Sequence, residues 1–404
     1  MSIFVHMIGY RDPELLPSIK DCLEKASRPD EINFGICWQH DPEDNDMDQF
    51  KGNPKFRIID VPHHRAGGCC YARSQAQALY GGEDYVLQLD SHHRFEQGWD
   101  DTLIEMMRQT GSEKPIITAY AGSYDAEQGK HDCVPWVIRP KPFSRDGSLQ
   151  FIPVKMPDWE NRTTPYKARI ASGHFMFTLG KHCLEVPYDP ELYFLGEELV
   201  MAVRSFTHGY DMFHPHRIVV WHQYHRDGRS KFWGDKPQTH RDLDKVSKER
   251  VLKLMGMEHN QHDLGKYGLG SVRTLEEFES YTGIHFKERM QHEDAIAGVE
   301  PPTTVDPSKM TKEWSVILHW NKDFVQVPED CRFIAYIVES ESGRVLWRKD
   351  VHEDQSFHPG VRADFMSVEA PARLIIWPNL KDLTWSPRKY SLNLQSQTVF
   401  APPT

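Results

Sequence analysis

The chain of 404 residues is short of several features, and each shortage excludes a class. Cysteine is scarce. There are seven, an odd number with no CxxC pair, so neither a disulfide framework nor a zinc-knuckle spacing is available. Cys69 and Cys70 are neighbours and poor candidates to bridge each other. No apolar run approaches the length needed to span a bilayer. Positive charge is in deficit, 48 Lys and Arg against 59 Asp and Glu. The net charge of −11 argues against a nucleic-acid binder, which would carry a basic face. Histidine is abundant, yet His292-Glu293 and His352-Glu353 both lack the second histidine of a His-Glu-x-x-His site. There is no P-loop, no dinucleotide fingerprint, no internal repeat and no low-complexity tract.

What is present describes a globular protein. Hydrophobic content of 39% and aromatic content of 11% suit packed cores, and the length suffices for two domains. The segment Met1–Ile8 is short and uncharged and runs straight into Arg11-Asp12. It lacks a basic n-region, so it reads as a first core strand and not as a signal peptide. A cytoplasmic, reduced protein is the expectation.

Apolar patterning predicts an α/β first half. Strands are expected over 3–8, 32–38, 56–61, 85–90, 115–120, 172–179 and 217–224. Helices are expected from Asp12-Pro13-Glu14, with Asp12 as N-cap, and over 71–80, 99–107 and 197–208. Thr274 and Glu277 form a capping box before a short helix ending at Gly283. Alternating strands and helices predict a mainly parallel sheet with covered faces. The stretch 131–170, with its prolines, Trp136 and Trp159, is expected as a long crossing loop or lid. A Pro-rich linker over 298–307 separates the first domain, 1–297, from a β-rich accessory domain, 308–404. Its runs around Trp314, Phe324–Val327, Arg332–Val338, Arg344–Lys349, Arg373–Trp377 and Tyr390–Leu394 suggest a small sandwich. Its tryptophans, at 314, 320, 347 and 377, read first as core, with carbohydrate binding as the alternative.

Two strand ends carry the candidate chemistry. Tyr85–Leu89 is a buried strand that ends on Asp90-Ser91-His92, and residues two apart on extended chain point the same way. Asp90 and His92 can therefore share a divalent ion, and Val219-Val220-Trp221-His222 delivers a third ligand, His222. The plainer reading of His222 is a satisfied histidine at a strand end. Arg226, Arg229, Lys231 and Lys236 follow and could neutralise a diphosphate. Gly196-Glu197-Glu198 puts two carboxylates at a helix start, either for the helix dipole or for chemistry beside a sugar. Ser172-Gly173-His174 could line a sugar pocket or merely turn the chain.

Taken in order, these pieces resemble the cytoplasmic polypeptide N-acetylglucosaminyltransferases, whose eukaryotic members modify hydroxyproline on a ubiquitin-ligase adaptor. The likeness covers roughly residues 2–290. It lies in Ser2–Val5, Tyr10–Leu15, Phe34–Trp38, Leu87–His92 with Arg94-Phe95 and Gly98–Asp100, Ser172–His174, Gly196–Glu198, Trp221–Arg226 and Asp263–Thr274. The resemblance implies a GT-A fold, a UDP-sugar donor (UDP-N-acetylglucosamine first), a divalent metal (manganese, with magnesium as alternative) and transfer with retention to a hydroxyl on a polypeptide. It implies Asp90, His92 and His222 as metal ligands and Glu197 or Glu198 as the catalytic acid residue. Donor contacts are then expected from Tyr10, Arg11, Arg73, Asp90, Ser91, Gly173, His174, Arg226 and Arg229. A metallohydrolase and a carbohydrate-binding adaptor without turnover are the competing classes.

Overall fold

Strand β1 (Ile3–Tyr10) organises the larger sheet, and its run of buried residues is what a strand covered on both faces requires. β2 (Ile32–His40) pairs with it in parallel and β3 (Phe56–Pro62) extends that edge. β4 (Tyr85–Asp90) pairs in parallel on the other side of β1, with Ile8 opposite Asp90. The chain continues through β5 (His93–Phe95), β6 (Pro115–Thr118), β7 (Gly122–Asp125) and β8 (Gly129–Lys130). β9 (Trp136–Pro140) and β10 (Phe151–Lys155) form an antiparallel pair. β11 (Tyr166–Lys167), β12 (Phe175–Leu179) and β13 (Asp211–His214) return to the main sheet, and β14 (Val220–His222) does not.

The eight-stranded order is β11-β13-β6-β12-β4-β1-β2-β3, and a second sheet runs β5-β14-β7-β8. β12 is antiparallel to both β4 and β6, so the sheet is parallel on one side of β4 and mixed on the other. Helices α1 (Leu15–Lys25), α2 (Cys69–Gln77) and α3 (Trp99–Gln109) link the parallel strands. α4 (His182–Glu185), α5 (Glu197–Thr207), α6 (Phe232–Asp235), α7 (Pro237–Leu254) and α8 (Leu275–Thr282) follow. The capping box of α8 forms as expected, with Gly283 in the left-handed conformation after it.

This computed structural model describes residues 1–127, 129–131, 134–144, 147–226, 228–303, 306–319, 325–352 and 360–394. The chain divides into two units. One is Met1–Lys141, Ser148–Lys287 and Asp294–Thr303; the other is Pro142–Gly147, Glu288–Glu293 and Thr304–Thr404. In the second unit, Met290–His292, Met310–His319 and Gly360–Ser367 form one antiparallel sheet. Cys331–Ser340, Val345–His352, Pro371–Leu380 and Tyr390–Asn393 form another. Both contribute to one core, including Val316, Ile334, Val338, Ala363, Leu374 and Ile376. The α/β class with a β-rich tail is thus the observed architecture. Trp314 and Trp377 donate their indole N–H to the Ser367 and Ser386 carbonyls, and Trp347 packs on the core. Trp320 and Phe324 lie outside the described residues. No described helix is long and apolar enough to cross a membrane.

Several expectations need correction. α1 starts at Leu15 with Glu14, not Asp12, at its N-cap. The Asp12 carboxylate instead accepts from the Glu14 N–H and from groups across the sheet edge. The stretch 131–170 is not one loop, because Val137, Ile138, Ile152 and Val154 pair across the β9–β10 ladder. Regular pairing of the last strand covers only Val220–His222. The 18-residue helix α7 has no counterpart in the apolar pattern, because only Ser247, Arg250, Val251, Leu252 and Leu254 of it are buried.

Candidate active site

Strand order predicts where a crevice opens. β1 has β2 on one side and β4 on the other, so the direction of winding reverses between β1 and β4. In open α/β sheets ligands bind at that reversal, beyond the carboxyl ends of the strands. The carboxyl end of β1 leads into Tyr10-Arg11-Asp12, and that of β4 into Asp90-Ser91-His92. β14 brings His222 alongside, its register placing it opposite His93 of β5.

Asp90, His92 and His222 converge, each offering a ligand atom within 4.8 Å of the others. His92 Nε2 is 3.6 Å from Asp90 Oδ2, and His222 Nε2 is 3.5 Å from the same oxygen. Those separations exceed good N–H···O lengths, so the three groups do not satisfy one another. His92 Nε2 and both ring nitrogens of His222 are buried without a hydrogen-bond partner among the described residues. A buried polar atom left unpaired costs about 1–3 kcal/mol, so three of them together are a large debt. One carboxylate oxygen and two imidazole nitrogens facing a common point are the donor set of a divalent transition-metal ion, and the residues fit one.

Burial pushes the Asp90 carboxyl up, but Arg73, His222 and His92 together hold it well below the usual carboxylate range. Burial likewise lowers His222, reinforced by the neighbouring His174, and takes His174 down to about 4. Both rings are therefore neutral at physiological pH, the form that can ligate a metal. His174 stacks on His222 with centroids 4.2 Å apart. Its Nε2 accepts from the Ala121 N–H, and its Nδ1 lies 3.1 Å from Ser172 Oγ.

Arg73 is buried under the site. Its guanidinium donates to Asp90 Oδ1 at 2.5 Å, to the Leu89 carbonyl and to the Gly173 carbonyl, and lies 3.7 Å from Glu197 Oε1. Gly173 is squeezed between these groups: a Cβ there would meet Glu197 Oε2 at 3.2 Å. Gly196, at φ +91, takes the left-handed turn that starts α5.

The two carboxylates of α5 part company at this point. Glu197 turns inward, accepting from Tyr188 Oη at 2.8 Å, with Cys69 Sγ 3.6 Å away. Glu198 accepts from Tyr120 Oη at 2.6 Å and from the Gly173 N–H at 3.0 Å. Burial outweighs those hydrogen bonds and lifts its carboxyl to about 7.

Two cavities adjoin at Asp90. The first, of about 110 Å³, is walled by Tyr10, Tyr193, Phe232 and Trp233, with Asp90, His92, Arg226 and Lys231 on its polar side. The second, of about 340 Å³, is lined by Glu197, Glu198, Tyr120, His174, Tyr224, Arg73 and Leu149–Phe151. Cys69, Asp90 and Phe194 border both.

Most of the residues singled out in the sequence gather here, but three cations do not line the cavities, and Lys236 among them donates to the His64 and Ala66 carbonyls. Arg11 pairs with Asp41 and with Asp235, which also accepts from Tyr10 Oη. Arg229 pairs with Asp12 at 3.2 Å and lies 3.7 Å from Glu14. Ser91 donates to Asp12 at 2.6 Å. Asp12, Tyr120, Tyr224, Phe194 and Trp233 were not singled out as site residues, although Asp12 sits directly beside Tyr10 and Arg11 after the first strand.

A family model described as glycosyltransferase (GlcNAc) matches residues 2–53 and 47–288, which is most of the chain and all of the site. The chain belongs to this glycosyltransferase family. The GT-A-type α/β class agrees with that membership, and sugar transfer is the activity of the class. Among solved structures, one of GalNAc-T7 with UDP, GalNAc and Mn2+ aligns at 14% identity and a TM-score of 0.44. That alignment covers 69% of this chain and 54% of the other, so the chain spans about half the length of that relative. A structure of S. aureus TarS 1–349 aligns at 9% identity and a TM-score of 0.37, covering 62% of this chain and 66% of that one. No curated protein sequence matches the chain.

Proposed function

We propose that the protein is a metal-dependent, retaining glycosyltransferase that moves N-acetylglucosamine from UDP-N-acetylglucosamine to a hydroxyl group on a polypeptide. The observation that carries this reading is the meeting of Asp90, His92 and His222 at the boundary of two unlike cavities. The family description supports the sugar, and the ordered motifs from Ser2 to Thr274 support the polypeptide acceptor. A divalent ion, manganese by preference, held by Asp90 and by Nε2 of His92 and His222, would offset negative charge on the leaving diphosphate.

The remaining roles belong to side chains. Tyr10, Phe232 and Trp233 form an aromatic wall suited to a uracil ring, and Arg226 and Lys231 supply cations beside it. Arg73 fixes the Asp90 carboxylate and the Gly173 backbone, and Glu197 is held from below by Arg73 and Tyr188. Glu198 reaches the larger cavity, where its ionised form stabilises positive charge at the anomeric carbon or holds an acceptor hydroxyl. Of the two catalytic candidates, Glu198 acts on substrate and Glu197 positions.

The test is donor turnover. Purified protein with Mn2+ should release UDP from UDP-N-acetylglucosamine faster than from other UDP-sugars, and EDTA should abolish release. Failure to bind or cleave any UDP-sugar with any divalent metal would sink the transferase reading and favour a carbohydrate-binding role.

A further inference from the structure

We propose that Asp12 is a positioning residue that sets the tautomer of His92 and so presents the Nε2 lone pair to the metal site. Asp12 lies 80 residues from His92 in sequence, and its side chain is only 5% exposed. Four donors surround its carboxylate. Oδ1 accepts from the Glu14 N–H at 3.0 Å and from Arg229 at 3.2 Å. Oδ2 accepts from Ser91 Oγ at 2.6 Å and lies 2.7 Å from His92 Nδ1.

The proton on His92 follows from the inventory. An ionised carboxylate only accepts, so the short contact with Nδ1 requires Nδ1 to carry the hydrogen. Ser91 Oγ, 3.2 Å from Nδ1, already directs its own hydrogen to Asp12 and cannot donate to the ring. In the neutral ring, the form that ligates a metal, Nε2 is then the unprotonated nitrogen, and it is the buried atom facing Asp90 that has no partner among the described residues. A carboxylate behind a metal-ligating imidazole fixes ring orientation and raises ligand basicity. His222 offers a contrast, since among the described residues neither of its nitrogens has a partner to choose a tautomer.

Asp12 also ties this ligand to the basic segment. Arg229 bonds its other oxygen, and Arg226 lies 3.5 Å from His92 Nδ1 and 4.0 Å from Asp12 Oδ2. Arg226, one of the two cations assigned to the diphosphate side, therefore lies beside the group that orients a metal ligand.

The proposal rests on reading Asp90, His92 and His222 as ligands, but its first test does not. In metal-free, full-length protein with 15N-labelled histidine, long-range 15N–1H correlation at a pH where the His92 ring is neutral should show it protonated at Nδ1 only. A neutral ring protonated at Nε2, or averaging between tautomers, overturns the proposal whatever the metal does. Mn2+ titration followed by electron paramagnetic resonance then supplies the second arm. Asp12→Ala should weaken Mn2+ binding ~10–100-fold, and Asp12→Asn, which keeps one acceptor oxygen, should fall between it and the unsubstituted protein. Unchanged Mn2+ affinity in Asp12→Ala contradicts the positioning role. If the unsubstituted protein shows the expected tautomer but binds no Mn2+, the ligand reading fails and Asp12 has no metal to serve. Should Asp12→Ala not fold, the tautomer measurement on the unsubstituted protein still decides.

Discussion

The smaller cavity presents five aromatic rings, of Tyr10, Tyr193, Phe194, Phe232 and Trp233, with the cations Arg226 and Lys231, while the larger one presents Glu197 and Glu198, two tyrosines, a stacked histidine and the buried Arg73. Phe194 and Trp233, both lining the smaller cavity, remain 48% and 41% exposed. The first set of groups suits a flat, uncharged ring attached to phosphates. The second suits a polyhydroxylated ring and a site of developing positive charge. Asp90 borders both, which is where a diphosphate joining base to sugar would have to lie. The difference teaches that substitutions in the two cavities should separate kinetically, although only one strand end lies between them.

The largest effect should come from the shared boundary. His222→Ala is expected to lower turnover at least ~1000-fold, equivalent to about 4 kcal/mol of transition-state stabilisation. Its melting temperature should change little, because neither ring nitrogen holds a hydrogen-bond partner among the described residues. Asp90→Ala should lose activity and stability together, since it removes the nearest carboxylate of the buried guanidinium of Arg73 and leaves only Glu197 at 3.7 Å, a change of up to about 3–5 kcal/mol. Equal destabilisation of both variants would mean that the cluster serves folding and not a ligand.

In the larger cavity, Glu198→Gln should reduce kcat ~100-fold and leave the KM for donor nearly unchanged. The pH dependence sharpens this. The Glu198 carboxyl sits at about 7 against an ordinary 4.5, so at pH 6 most of it is protonated. If the ionised form acts, kcat should rise as pH passes through 7, and Glu198→Gln should lose that inflection. Stability runs the opposite way. A raised folded-state pKa contributes stability that is present below 4.5 and lost as pH rises through 7. Glu198→Gln should therefore gain melting temperature relative to the unsubstituted protein above pH 7, and a flat difference from pH 4 to 8 would contradict the assignment.

The smallest of the three belongs to the smaller cavity. Trp233→Ala should weaken UDP binding ~10-fold, as loss of a single stacking partner does, with kcat retained at saturating donor. A kcat effect larger than the KM effect would break the division between the cavities.

Much of this site was legible before the fold because its elements are local. The apolar run that ends on Asp90-Ser91-His92 carries its own periodicity and marks the strand end, although β4 stops at Asp90 and a bend at Ser91-His92 brings the imidazole round to the carboxylate. The same holds for His222 and for the Gly196 turn into α5. The division of labour between Glu197 and Glu198 was not legible. Successive helical residues differ by ~100° in direction, and only the packing of Tyr188 and Arg73 against one and of Tyr120 against the other says how each is held beside the cavity that both line. Asp12 was misread as a helix cap because a carboxylate before Pro13-Glu14 has that local meaning. Its real partners, Ser91 and His92, come from a neighbouring strand end. Helix α7 escaped notice because its buried face includes Ser247 and Arg250, which no hydrophobic pattern marks.

The central claim, a metal held between the two cavities, is tested most directly by anomalous diffraction from crystals soaked with Mn2+ and UDP. The account predicts a single strong manganese peak within bonding distance of an Asp90 oxygen and of Nε2 of both His92 and His222, with UDP in the aromatic cavity. Ordered UDP with no manganese at these three side chains would contradict it.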